Sequence, residues 1–248
     1  MAGHSPWKNI QHRKGAQDAK KGKVFTKLLK EITIAVKKGG GPNAEFNPRL
    51  RLALQNARGS NVPKDNIERA IKRATGEGEA ELIEVVFEAY GPEGSGIYIE
   101  CTTDNNTRTV SNIRSYLNKF GGNLGKENCL QFVFEKKGII TVSKAKLDEE
   151  TFQLEMIDAG ADDVVLEEDI FTITTAPENF LSVQKKLGEL NIDVVEGAIQ
   201  MLPTTTKKLS EESFSKFMKL LDNIEDDDDV QKVYHNVEFD EVLAAKYS

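Results

Sequence analysis

The residues able to do chemistry in this chain are cations crowded at one end. Trp7, Lys8, His12, Arg13, Lys14, Lys20, Lys21, Lys23, Lys27, Lys30, Arg49 and Arg51 all lie in the N-terminal part of a 248-residue sequence. Side chains of this type, with few acids interleaved to pair them locally, suit the binding of phosphate. Trp7 is the only tryptophan. Its ring, among His12, Arg13 and Lys14, could stack on a base or lie along a sugar, or it could pin a polar arm to the helices behind it. From Met1 to Thr75 there are 17 Lys and Arg against 5 Asp and Glu, a net of +12, whereas Gly76 to Ser248 carries 16 against 35, a net of −19. The overall net charge of −7 hides a basic head on an acidic body. Such asymmetry is expected of a polyanion-binding module attached to other domains. The blander account is that the lysines solvate one helix face, but the excess continues into Arg58, Lys64, Arg69, Lys72 and Arg73.

Other chemistries lack their residues. Two cysteines, Cys101 and Cys129, make no disulfide scaffold, and His4, His12 and His235 are too scattered for a zinc motif. Neither histidine of the arm has a partner in the sequence that would make it a general base. Gly94-Ser95-Gly96 lacks the spacing of a nucleophile elbow, and Gly121 to Lys126 fits neither a P-loop nor a dinucleotide fingerprint. Asp104-Asn105-Asn106 opens like a calcium loop, but Thr109 stands where glycine is needed and Ser115 where the closing glutamate belongs. The expectation is a protein that is not an enzyme, with no cofactor, no metal and no small-molecule substrate. There is no apolar run long enough to span a membrane and no apolar core of a secretory signal, so no membrane partner is expected and the cytoplasm is the expected location. A Lys-rich, acid-poor start also occurs in organellar presequences, but here it runs unbroken into an amphipathic helix.

These cations must be positioned by helices. Val24, Leu28, Ile32, Ala35 and Val36 recur at helical spacing, with Lys20, Lys23, Lys27, Lys30 and Lys37 on the other side. Gly39-Gly40-Gly41-Pro42 ends that helix, and Asn47-Pro48 caps and opens a second whose buried stripe is Leu50, Leu54 and Ala57. Pro63 and Asp65 begin a third with Ile67, Ala70, Ile71 and Ala74 inside. Beyond Gly76 the pattern shifts to strands at Glu84 to Tyr90 and Ile97 to Thr103, a helix at Thr107 to Phe120 with Val110, Ile113 and Leu117 inward, and a strand at Leu130 to Phe134. From Ile139 to Met201 the order is β-α-β-β-α-β, which is ferredoxin-like. A helix from Ser210 to Ile224, a solvated turn at Asp226 to Asp229 and a strand from Val230 to Phe239 cannot bury themselves alone, so they are expected to return to the middle unit. Apolar content of 39% supports real cores. The predicted class is α+β: an N-terminal helical domain at 1–77, a discontinuous middle domain at 78–135 plus 204–248, and a ferredoxin-like domain at 136–203 inserted in it.

Several long blocks resemble one known family. Gly3-His4-Ser5, Trp7, Asn9-Ile10, His12-Arg13-Lys14, Gln17-Asp18-Ala19-Lys20, Gly22-Lys23 and Phe25-Thr26-Lys27-Leu28 are similar to the opening signature of the YebC/PmpR family, which includes the mitochondrial translational activator of cytochrome c oxidase subunit I. Asn47-Pro48-Arg49-Leu50-Arg51, Pro63 to Ile71, Thr103-Asp104-Asn105, Arg108-Thr109 and Gly121 to Gly125 extend the resemblance across the chain. Pro6, Gln11 and Glu127-Asn128 depart from the usual pattern, the first two by removing positive charge from the arm. The resemblance implies three domains, no catalysis and a cytoplasmic bacterial location. It also implies a regulator of gene expression with nucleic acid as partner, either DNA at promoters or, in translation, ribosomal RNA or tRNA on the ribosome, where members are thought to relieve stalling. No base-reading motif stands out, so contacts are expected mainly to phosphate. A protein-binding adaptor, whose basic face meets an acidic partner, is the remaining alternative.

Overall fold

The computed structural model describes residues 21–76, 81–145 and 147–238, with the backbone but not the side chain of Lys21. Three helices come first: α1 (Lys21–Lys38), α2 (Pro48–Gly59) and α3 (Lys64–Thr75). Next are β1 (Ile83–Tyr90), β2 (Gly96–Thr103), α4 (Asn106–Lys119), β3 (Asn123–Leu124) and β4 (Phe134–Ser143). The chain continues through α5 (Glu149–Asp158), β5 (Ala161–Glu167), β6 (Ile170–Thr175), α6 (Phe180–Glu189) and β7 (Val194–Pro203), and ends with α7 (Glu211–Glu225) and β8 (Val230–His235). The class is α+β, with helices leading and two four-stranded antiparallel sheets following. Two compact units result, and each is discontinuous in sequence. Among the described residues one takes 21–27, 81–135 and 202–238, and the other takes 28–76 and 136–201.

In the first unit the sheet order is β3-β1-β2-β8. The β1–β2 hairpin pairs in register from Ile83 opposite Thr103 to Tyr90 opposite Gly96. Alternation then sends Ile97, Ile99 and Cys101 of β2 to one face, where all three are buried with Ile113 and Leu117 of α4 and with Phe214, Phe217, Leu220, Leu221 and Ile224 of α7. The inward stripe of α4 is Thr109, Ile113 and Leu117, so a hydroxyl stands where Val110 was expected. The segment read as a strand at Leu130 to Phe134 is instead a run of turns until Phe134. Its backbone is held by a side chain: the Glu88 carboxylate accepts from the amides of Asn128 at 3.1 Å and Leu130 at 2.6 Å. The glycine-rich loop after α4 contains the two-residue strand β3, paired with Ala89 and Tyr90.

In the second unit the strands lie in the order β5-β6-β4-β7, with α5 and α6 as the connections, which is the ferredoxin-like arrangement. Its core gathers Ile140, Val142, Phe152, Met156, Phe171, Ile173, Phe180, Val183 and Leu187. No Cβ would fit at Gly138 of β4, because Thr175 and Phe180 occupy the space. The edge strand β7 is met by α2. Asn56 donates to the Gly197 carbonyl at 2.9 Å and accepts from its amide at 3.2 Å, so one side-chain amide takes the place of a further strand. A Cβ on Gly59 would come within 2.8 Å of the Val195 carbonyl, which fixes how closely α2 follows that edge.

Candidate nucleic-acid interface

The loop joining α1 to α2 is built around one buried amide. Asn47 is wholly buried; its Nδ2 donates to the carbonyls of Ala35 at 2.7 Å and Gly41 at 2.8 Å, and its Oδ1 accepts from the Leu50 amide at 2.9 Å. It thereby caps both the end of α1 and the start of α2, with Pro48 supplying a helix-ready φ at the first position. Gly40 and Gly41, at φ +111° and +97°, make the reversal that a side chain would strain. Buried stripes of Leu50, Ala53 and Ala57 in α2 and of Ile67, Ala70 and Ala74 in α3 leave the opposite faces to solvent. On those faces Arg51, Arg58, Lys64, Arg69, Lys72 and Arg73 are exposed, as is Lys37 at the end of α1. Lys64 has Glu68 at 3.6 Å, an exposed pair of little strength.

The twelve residues singled out by sequence divide by position. Trp7, Lys8, His12, Arg13, Lys14 and Lys20 lie outside the described residues, and Lys21 opens α1. Lys30 is half-buried. Arg49 pairs through Nε with Glu31 at 3.0 Å. Arg51 is exposed but anchored, its Nε on the Ala44 carbonyl at 3.1 Å and one terminal nitrogen on the Glu45 carbonyl at 2.8 Å. Lys23 and Lys27 are turned onto the end of α7. The Lys23 ammonium donates to the Asp226 carbonyl at 2.9 Å and lies 3.1 Å from its carboxylate, and the Lys27 ammonium donates to the Glu225 carbonyl at 3.1 Å. A cation on the exposed carbonyls of a helix end is favourable. Burial nevertheless outweighs the attraction of Glu225 and holds the Lys27 amine below its ordinary pKa.

The turn that receives them is not the solvated one expected from four consecutive aspartates. Asp227 is 9% exposed and Asp229 is 6% exposed. Asp229 Oδ2 accepts from the Arg108 guanidinium at 2.6 Å and from the hydroxyls of Thr109 at 2.9 Å and Thr103 at 3.1 Å. Asp227 Oδ2 accepts from Asn112 and Tyr116, each at 3.0 Å. A register shift between Glu100 and Cys101 lets the Thr102 amide reach the Asp229 carbonyl at 2.7 Å, bringing β2 and the turn together. The hydrogen bonds that Arg108 donates to Asp229 and Asp104 raise its pKa, and burial followed by the Asp227 contact pushes the Tyr116 phenol up to about 12. The open depression lined by Arg108, Asn112, Tyr116 and Asp227 to Asp229 is therefore a structural clasp with carboxylates already engaged, a poor seat for phosphate.

A helical leading segment rich in exposed cations, followed by two α+β sheet units, defines a multi-domain protein with a basic module. Residues 5–77 match the family model described as the TACO1/YebC protein N-terminal domain, and residues 82–237 match that of the TACO1/YebC second and third domain. The chain belongs to the TACO1/YebC family. It is 49% identical over its whole length to a "Probable transcriptional regulatory protein" of Persephonella marina, all of which is covered. Proteins of the same description from Amoebophilus asiaticus and Clostridium beijerinckii are 48% and 46% identical, covering 96% and 97% of this chain and 98% of each relative. The crystal structure of a conserved hypothetical protein from Aquifex aeolicus is similar, with a TM-score of 0.78 and 42% identity over 90% of this chain and 93% of that one. Among the described residues no helix is long and apolar enough to cross a membrane.

Proposed function

We propose that this chain is a non-enzymatic regulator of gene expression that grips nucleic acid, DNA in the first instance, through its N-terminal helical segment. The observation that carries the reading is the row of exposed cations on α2 and α3, Arg51, Arg58, Lys64, Arg69, Lys72 and Arg73, set on helices whose other faces are buried. Relatives named as transcriptional regulators support it. In this reading the domain at 1–77 provides the grip, and the domains at 78–135 plus 204–248 and at 136–203 place it. Their acidic surface repels phosphate and so orients docking. The arm residues Trp7, Lys8, His12, Arg13, Lys14 and Lys20 add to the grip, as do Lys21, Lys30, Arg49 and Arg51 of the helices. Lys23 and Lys27 contribute through the field near α7 while their ammonium groups stay on its carbonyls.

The test is a salt titration of binding to labelled duplex DNA. About five neutralised phosphates give a log-log slope near −4.5 on duplex. Changing Arg58, Lys72 and Arg73 together to glutamine flattens that slope and weakens binding; because all three side chains are exposed and lie in the last turns of α2 and α3, the melting temperature falls only by the few degrees that losing favourable helix-end charges brings. Binding indifferent to salt, or unaltered by the triple change, refutes the reading.

A further inference from the structure

Between α1 and α2 the chain holds a phenylalanine out in water. Phe46 is 77% exposed, yet the loop beneath it is tied at almost every step. The Gly39 and Gly41 amides donate to Ala35 and Val36 at 2.9 and 3.1 Å, the Phe46 amide donates to the Asn43 carbonyl at 3.2 Å, and the Glu45 amide donates to Asn43 Oδ1 at 2.9 Å. Asn47, next in sequence, is wholly buried with three hydrogen bonds. On the other side Arg51 clamps the carbonyls of Ala44 and Glu45, so its guanidinium is held against the residue that precedes the ring. A backbone fixed on both flanks presents the ring with little ordering left to do on binding. Exposed apolar residues are common singly, and the comparison that matters is Phe132, which is 85% exposed on an equally braced loop. Phe132 lies in the loop whose amides the Glu88 carboxylate takes, whereas Phe46, with Glu45 before it, lies in the basic segment where the Arg51 guanidinium is held on the adjoining carbonyls.

We infer that Phe46 and Arg51 form a stacking site for one unpaired nucleobase, the ring taking the face of the base and the guanidinium the adjoining phosphate. This rests on the phosphate-binding reading and deepens it. A closed duplex offers no free base face, so the preferred target contains a single-stranded stretch, either opened DNA or looped RNA. Aromatic stacking tolerates every base, which suits a surface with no base-reading motif.

The experiment is fluorescence anisotropy on the full chain with labelled oligo(dT), oligo(U) and a blunt duplex. Phe46→Ala is expected to weaken binding to single strands about 5- to 150-fold, the range of one lost stack, and to change duplex binding by less than about twofold. Phe46→Trp retains single-strand affinity, and Phe132→Ala leaves all three probes unaffected. A loss on both single strands places the shared base face at the site. A loss on one alone also supports the site and identifies DNA or RNA as its source. Unchanged single-strand binding by Phe46→Ala, or an equal loss on duplex, overturns the inference while leaving the phosphate grip intact. Salt-independent or absent binding of every probe by the unmodified chain brings down both.

Discussion

Reversing the charge of Lys27 separates a structural lysine from a nucleic-acid contact. Its ammonium lies half-buried on the Glu225 carbonyl, with Lys23 beside it on Asp226. Lys27→Glu would place a carboxylate against the negative end of α7 and next to Glu225 and Asp226, a buried charge without compensation that costs about 3–5 kcal/mol. For a chain of this size each kcal/mol moves the melting temperature by about 2–4 °C, so a drop of roughly 10 °C is expected. Lys27→Met keeps the aliphatic stem and removes an amine that burial already disfavours, so it should stay within about 1 kcal/mol of the parent. The pH profile supplies a second readout. The folded chain holds this amine below its ordinary 10.5, so between the folded and unfolded values the unfolded state binds more protons. Stability contributed by this group therefore rises as pH climbs through that window, and Lys27→Met removes the rise. Melting followed by far-ultraviolet circular dichroism on both variants is the assay. If Lys27→Glu melts within about 2 °C of the parent, the contact with α7 is not what holds this side chain. If the drop appears, loss of nucleic-acid binding in that variant reports damage to the fold and not a missing phosphate contact.

Three further outcomes follow from the same geometry. Asn47→Ala removes three buried hydrogen bonds and the cap of α2, and should cost about 2–4 kcal/mol by urea denaturation, whereas exposed Asn43 replaced by alanine should cost under about 1 kcal/mol. Asp229→Ala leaves the hydroxyls of Thr103 and Thr109, both wholly buried, without their shared acceptor, an expected loss of about 2–4 kcal/mol, and a loss below about 1 kcal/mol would show that the clasp is dispensable. Tyr116 should ionise near 12 in an ultraviolet titration, with stability falling between the ordinary tyrosine value of 10.0 and that point because the unfolded phenol releases its proton first. Asp227→Asn should bring the midpoint down, and Tyr116→Phe should abolish this part of the alkaline loss.

Local signals were readable and long-range ones were not. Asn47-Pro48 announced a capped helix, and the side chain does cap it. The β-α-β-β-α-β order of the second sheet followed from periodicity and turn residues alone. Lys23 and Lys27, by contrast, read as part of a solvent face because helical spacing reports one buried stripe and is blind to a second contact 198 residues away in sequence. Nothing within Asp226 to Asp229 reveals which carboxylates point inward. That depends on Arg108, Thr103 and Thr109, which β2 and β8 bring to the turn by pairing across more than a hundred residues. The apolar run at Leu130 to Phe134 reads as a strand, but Glu88 takes the Leu130 amide and turn carbonyls take those of Gln131, Val133 and Phe134. Phe46, a single aromatic in a glycine-rich connection, carries no periodic signal; its exposure beside Arg51 is a tertiary fact.

The pairing of Asn56 with Gly197 reaches beyond local stability. A terminal strand that still offers an amide and a carbonyl is a template on which another chain can lengthen the sheet. Here one carboxamide from a neighbouring helix plugs that template. Whatever loosens α2, whether heat, a substitution at the cap or a pull from a bound polymer, also uncorks β7, so resistance to clumping in this protein is set by how firmly a short helix keeps its place.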